Sequence, residues 1–241
     1  MIKNIISVLI AISSIALSNT SLADQYNWSG VTLGGGLGVA QMKSTIENRN
    51  VDYQHYFTSY GDAVNFQSSP ASGFAHISLG IQKQYSNFLI GFDLDHSLSS
   101  FEQSRRQIGL FDTNDYEAKI NNITSLSGKF GYAFDNNLIY GKLGYATAKI
   151  STQSTEPLFA HIGTSSNRQS AFLVGVGYDK ALTENVILGI NYNHYSFNDK
   201  TQTGQDLSGY IPIYLVNIGP SLDAVMFKLS YKFNPSLNRP V

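Results

Sequence analysis

His194 and Ser196 stand two residues apart, and Asp223 follows further along the chain. A hydroxyl, an imidazole and a carboxylate are the parts of nucleophilic hydrolysis, in which the imidazole takes the hydroxyl proton and the carboxylate orients the ring. Side chains at i and i+2 of a strand share a face, so His194 and Ser196 belong on one wall, with Asp223 at the facing start of a later strand. A second set is His55 among Tyr53, Tyr56 and Tyr60, with His161 further on. These side chains can ligate or stack on a heme, but isolated loop histidines are more often plain surface residues, so no cofactor is expected and heme is the alternative. A third set opposes Asp93, Asp95 and Asp179 to Lys129, Lys142 and Lys228. In an enclosed space these six would have to pair with one another, because a buried charge is tolerated only when paired and hydrogen-bonded. His76 is expected to face the interior in a satisfied hydrogen-bonding role, and His96 to lie outward at an interface. No metal-ligand spacing, phosphate-cradling loop or nucleotide fingerprint appears, so no metal site is expected.

The elements that must position these residues are strands. Val31, Leu33, Leu37 and Val39 share one parity, and Thr32, Gly34, Gly36, Gly38 and Ala40 the other. A strand separates such sets onto two faces, whereas a helix scatters them and is weakened by so many glycines. The same period of two recurs near 72–83, 87–97, 121–133, 138–149, 170–180, 185–196 and 223–233. Together with the first segment, near 28–41, these make eight strands. One parity carries Phe, Tyr, Leu, Ile and Val, and the other mostly Gly, Ala, Ser, Asn and the charges. Leu89, Ile123, Leu173, Ile187 and Met226 break the polar parity.

The connections alternate. Segments 83–87, 134–138 and 180–185 are tight and built of turn formers, while 42–71, 98–120, 150–169 and 197–222 are long and rich in Ser, Thr, Asn and Gln. Long loops at one end and short turns at the other are the asymmetry of outer-membrane barrels. The apolar stretch Tyr210 to Ile218 is expected to extend the last hairpin. Eight strands enclose a narrow space that the small polar set fits and the bulky set would crowd. The bulky parity is therefore expected to face lipid. The expected fold is all-β: an eight-stranded antiparallel up-and-down transmembrane β-barrel.

Composition excludes other classes. The 241 residues carry 16 Lys plus Arg against 17 Asp plus Glu, a formal charge of -1, so no basic excess supports nucleic-acid binding. Absence of cysteine excludes disulfides, thiol chemistry and a lipidated amino terminus. Residues 1–23 show Lys3, an apolar run from Ile5 to Leu17 and the small-residue end Ser21-Leu22-Ala23, the pattern of a signal peptide. The domain reading is signal peptide 1–23, outer-membrane β-barrel 24–233 and a short periplasmic tail 234–241. Both termini are then expected in the periplasm and the long loops outside the cell.

Several stretches resemble one family. The opening Trp28-Ser29-Gly30-Val31-Thr32-Leu33-Gly34-Gly35-Gly36 has the Trp-x-Gly start and alternating glycines of Omp25/Omp31-type outer-membrane proteins. Gly128 to Phe134, followed by Leu138 to Ala146, resembles that family's central hairpin, and Lys228 to Phe233 its closing strand. The chain departs from the pattern at Ser127 and Lys129, where family members commonly place inward arginines, and at Asn191, where a glutamate often precedes the aromatic. The resemblance implies a "porin family" barrel, a group with hemin-binding members.

The leading functional expectation is a non-enzymatic outer-membrane surface protein, with an envelope-structural or host-interaction role through four external loops. Its expected partners are outer-membrane lipid, lipopolysaccharide and the barrel assembly machinery. The alternatives are a hemin receptor using His55 and His161, and a hydrolase using Ser196, His194 and Asp223 in the manner of lipid A deacylases.

Overall fold

The computed structural model describes residues 26–48, 63–66, 72–108, 113–156, 161–206 and 214–233. The signal-peptide segment, the tail 234–241 and His55 lie outside them. The strands are β1 (Gly30–Asn48), β2 (Ala63–Phe66), β3 (Ser72–Tyr85), β4 (Phe88–Ser97), β5 (Ser100–Ile108) and β6 (Thr113–Phe134). They continue with β7 (Asn137–Glu156), β8 (His161–Ala181), β9 (Val186–Phe197), β10 (Lys200–Asp206), β11 (Tyr214–Ile218) and β12 (Ser221–Phe233).

The expectation of an eight-stranded up-and-down barrel is corrected by this topology. Among the described residues twelve strands form one sheet in the order β10-β11-β1-β12-β9-β8-β7-β6-β4-β3, with β2 joined to β1 and β5 to β6. β1 is paired along both edges, with β12 from Val31↔Phe233 to Lys43↔Ser221 and with β3 from Gly30↔Gln82 to Ala40↔Ser72. β10 pairs with both β11 and β8. The segments expected as irregular loops hold β2, β5, β10 and β11 and the far ends of β1, β6, β7 and β8. Their Ser, Thr, Asn and Gln content resembles loop composition, but a strand pair standing clear of lipid needs no apolar outer face, and its backbone ladder forms beneath polar side chains as well. Breaks at 98–99, 198–199 and 219–220 separate the added strands from their neighbours. Pro220 marks the last of these, since it has no N–H to offer a ladder. Tyr214–Ile218 extends the last hairpin by pairing with β10, as the apolar stretch suggested.

One irregularity explains the length of β6. The register with β7 shifts between Asn121 and Thr124, and Asn122 adopts φ 45°. Asn tolerates that left-handed conformation better than most residues, and the extra residue of a bulge reverses side-chain parity. Tyr116, Ala118 and Ile120 therefore face inward on one side of the bulge, and Ile123, Ser125, Ser127 and Lys129 on the other.

The bulky parity faces out. Leu37 and Tyr145 are each 70% exposed and Phe88 68%. In water such a wall would be untenable; against lipid it is the expected surface. The interior is stratified into three layers. Nearest the tight turns, Trp28, Leu89, Ala133, Leu138, Tyr140, Ala181 and Ile187 form an apolar cluster. A polar layer holds Asp93, Asp95, Lys129, Lys142, Asp179 and Lys228, all buried. Beyond it a larger apolar cluster includes Phe74, Phe101, Ile120, Ile150, Leu173, Tyr195, Leu222 and Met226. The five residues that broke the polar parity are thereby explained: Leu89 and Ile187 belong to the first cluster, and Ile123, Leu173 and Met226 to the second.

Candidate functional site

The polar layer is a set of buried ion pairs drawn from several strands. Lys142 Nζ lies 2.9 Å from Asp93 Oδ2 and 2.9 Å from Asp95 Oδ2. Lys129 Nζ is 3.2 Å from Asp93 Oδ2 and 3.9 Å from Asp179 Oδ2, and Lys228 Nζ is 3.7 Å from Asp179 Oδ2. All six candidate network residues therefore meet in one place. Three cations face three anions, so the layer carries no net charge. Such balance is what allows ions to persist out of water.

Sequence reasoning left out the neutral partners. Tyr140 donates its phenol O–H to Asp179 Oδ1 at 3.2 Å, and its ring lies 4.6 Å beneath Lys129 Nζ. Lys129 also donates to Gln82 Oε1 at 3.3 Å, and Gln82 Nε2 donates to the Trp28 carbonyl at 2.7 Å. A bonded chain thus runs from the charge layer to the tryptophan of the first apolar cluster. Tyr140 and Gln82 share the polar parity of their strands, which is the signal that could have found them. Glycine makes the room. A Cβ at Gly177 would strike the Tyr140 ring, its cross-strand partner, and one at Gly189 would strike Asp179 Oδ1.

On the outer wall, His194 and Asp223 are register partners, and His194 Nδ1 is 2.7 Å from Asp223 Oδ1. The same oxygen accepts from Tyr192 Oη at 2.6 Å, while Lys43 Nζ lies 3.9 Å from Asp223 Oδ2. Ser196 is exposed on the same face, but among the described residues no hydrogen bond joins it to His194. The structure thus brings together two of the three hydrolytic candidates. His161 begins β8, its backbone paired with Glu156, and His55 is outside the described residues. His76 faces the interior and is buried, but neither ring nitrogen has a protein hydrogen-bond partner, which corrects the expected satisfied role. His96 is half-buried, its Nδ1 2.9 Å from Thr124 Oγ1. Among the described residues no group of three His, Cys, Asp or Glu side chains is arranged to hold a metal ion.

The outward apolar wall and the paired polar interior are now joined by a family match. The profile described as "Outer membrane protein beta-barrel domain" matches residues 7–233. The chain belongs to that family. As an outer-membrane β-barrel protein it is similar in fold to the outer membrane protease OmpT of Escherichia coli, with 11% identity and a TM-score of 0.56 over 89% of this chain and 99% of that one. The outer membrane protein OprG of Pseudomonas aeruginosa aligns with 13% identity and a TM-score of 0.55, covering 87% of this chain and 98% of its own. A major outer membrane protein of Thermus thermophilus aligns with 11% identity and a TM-score of 0.50, covering 81% and 99%. At these identities the likeness shows fold and nothing further. No curated protein matches the chain.

Proposed function

We propose that the barrel is a non-enzymatic surface protein of the outer membrane, sealed through its interior and acting through the strands and loops beyond the lipid-facing band. The observation that carries this reading is the stack of interior layers. A solute entering from the outer side meets Phe74, Phe101 and Leu222, then the Lys142–Asp93–Asp95 and Lys228–Asp179 pairs, then Leu138 and Trp28. Passage would require opening ion pairs in a low-dielectric space, where removal of a partner costs several kcal/mol. A general diffusion pore lines its channel with solvated charge instead.

Within the family, the opening Trp28 motif, the central hairpin and the closing strand Lys228 to Phe233 support an Omp25/Omp31-type assignment. The tight turns at 86–87, 135–136 and 182–185 support placing that end in the periplasm, with β2, β5, β10 and β11 outside the cell. Outer-leaflet lipid and the assembly machinery are the partners this placement entails.

Reconstitution tests the reading. Liposomes loaded with a small sugar and carrying the folded protein should swell no faster than protein-free liposomes, and planar bilayers should show no steady conductance. Rapid swelling would overturn the sealed interior. The same preparation should leave the hemin Soret band unshifted and lipid A acyl chains intact; a Soret shift lost on His161→Ala, or acyl release lost on Ser196→Ala, would replace a surface role with a receptor or an enzyme.

A further inference from the structure

The outer wall of β7 and β8 reads as a ladder of changing chemistry. Tyr145 stands opposite Phe172, Thr147 opposite Ser170, Lys149 opposite Arg168, Ser151 opposite Ser166 and Gln153 opposite Thr164. The first rung is an edge-on aromatic pair, centroids 5.8 Å apart, exposed to the lipid side. Next comes a rung of hydroxyls, then two cations face to face, then a second hydroxyl rung with Ser151 and Ser166 oxygens 3.0 Å apart.

The cation rung is the anomaly. Like charges directly across a strand pair are unfavourable. Nearby Lys119 has Glu102 at 3.4 Å, but neither Lys149 nor Arg168 forms an ion pair among the described residues. Both are exposed, so each is available to an external anion. Their height narrows the choice. Four residues of strand separate Lys149 from Tyr145, about 13 Å along the strand and less along the membrane normal because barrel strands tilt. Aromatics of this kind sit at the headgroup level, and long cationic side chains can lean back toward it. An anion held here is therefore at the membrane surface, with acyl chains below and hydroxyl-bearing side chains on both sides.

We propose that Lys149 and Arg168 form a binding site for a phosphate of an acylated, phosphorylated saccharide of the outer leaflet. The acyl chains lie along Tyr145 and Phe172, and the sugar meets the hydroxyls of Ser166, Ser151, Ser170 and Thr147. Arg168 presents a planar fork to the phosphate and Lys149 a point charge. The site rests on the lipid-facing reading of this wall and adds to it a defined headgroup.

Thermal melts of the full folded chain in zwitterionic detergent test it, with bisphosphorylated lipid A as the probe. Lipid A should raise the midpoint of the wild type. The K149Q/R168Q variant should need about tenfold or more lipid A for the same rise, given two surface cation–phosphate contacts. Lys83→Gln, which removes an exposed cation near the opposite, tight-turn end, should behave as the wild type. An equal rise with dephosphorylated lipid A, with phosphatidylglycerol or with inorganic phosphate alone would overturn the assignment. So would a double variant that responds like the wild type. A detergent-requiring fold with no lipid A response overturns the site alone, whereas a chain that folds as a soluble monomer without detergent overturns the lipid-facing wall and the site with it.

Discussion

Lys142 is buried and touches two carboxylates at 2.9 Å, so its removal should be felt more than that of any other charge in the layer. Lys142→Met leaves Asp93 and Asp95 with an uncompensated buried charge and is expected to lower unfolding free energy by about 3–5 kcal/mol. Urea titration of the detergent-folded protein measures this. Lys142→Met combined with Asp95→Asn should recover part of the loss, because the surplus carboxylate has gone. A gentler test lies at the tight-turn end. Tyr26 precedes β1, donates to the Glu184 carbonyl at 3.0 Å and packs edge-on against Trp28 at 4.8 Å. Partial burial, with Glu184 adding to it, pushes its phenol up to about 12 from an ordinary value of 10. The folded state thus holds a proton that the unfolded chain gives up. This contribution is whole below pH 10 and is lost as pH rises toward 12. Alkaline melting curves should show a shallower decline over that window for Tyr26→Phe than for the wild type.

The register of β6 depends on a single residue held in the left-handed region. Asn122→Val places a β-branched side chain at φ 45° and should cost about 1–2 kcal/mol, whereas Asn122→Gly should be nearly neutral. The same titrations distinguish the two. At Gly177 any side chain meets the Tyr140 ring, so Gly177→Val should displace that ring from Asp179 and reduce yield of the heat-resistant folded form on gel electrophoresis. Asn122 is also where alternation ceases to report the fold. Alternating parity assigns Asp93, Asp95, Lys129, Lys142, Asp179 and Lys228 to one side of their strands, because period two is a direct consequence of backbone geometry, and in the structure the six are buried. It could not carry β6 through Asn122, since a bulge shifts the count by one and makes two strand halves look like a strand and a loop. The set His55–His161 rests on residue type, and His194, Ser196 and Asp223 on strand parity, which fixes a face but neither distance nor angle. Among the described residues, His194 and Asp223, neighbours by register, form a contact.

Taken whole, the molecule divides its chemistry by depth and by side. Bulky side chains face outward over the band from the tight turns to Tyr145 and Phe172, and polar rungs continue beyond it. The all-β class and the inverted polarity were legible because lipid and a narrow interior impose opposite demands on alternate residues. The number of strands was not, because the added segments keep apolar residues such as Phe101, Tyr116, Ile120 and Ile218 on the inner face and lack the bulky outward set that marks the other strands. β1 offers one last consequence. Its partner β12 lies at the far end of the described chain, and the thirteen paired residues between them join positions nearly two hundred apart. While a ribosome is still at work, the first strand has nothing to lie against on that side, and its glycine-rich backbone would be open to any neighbour. That edge of β1 therefore stays unpaired until residues 221–233 have been made. Removing residues 221–233 should yield a chain that aggregates, not a smaller version of the native protein.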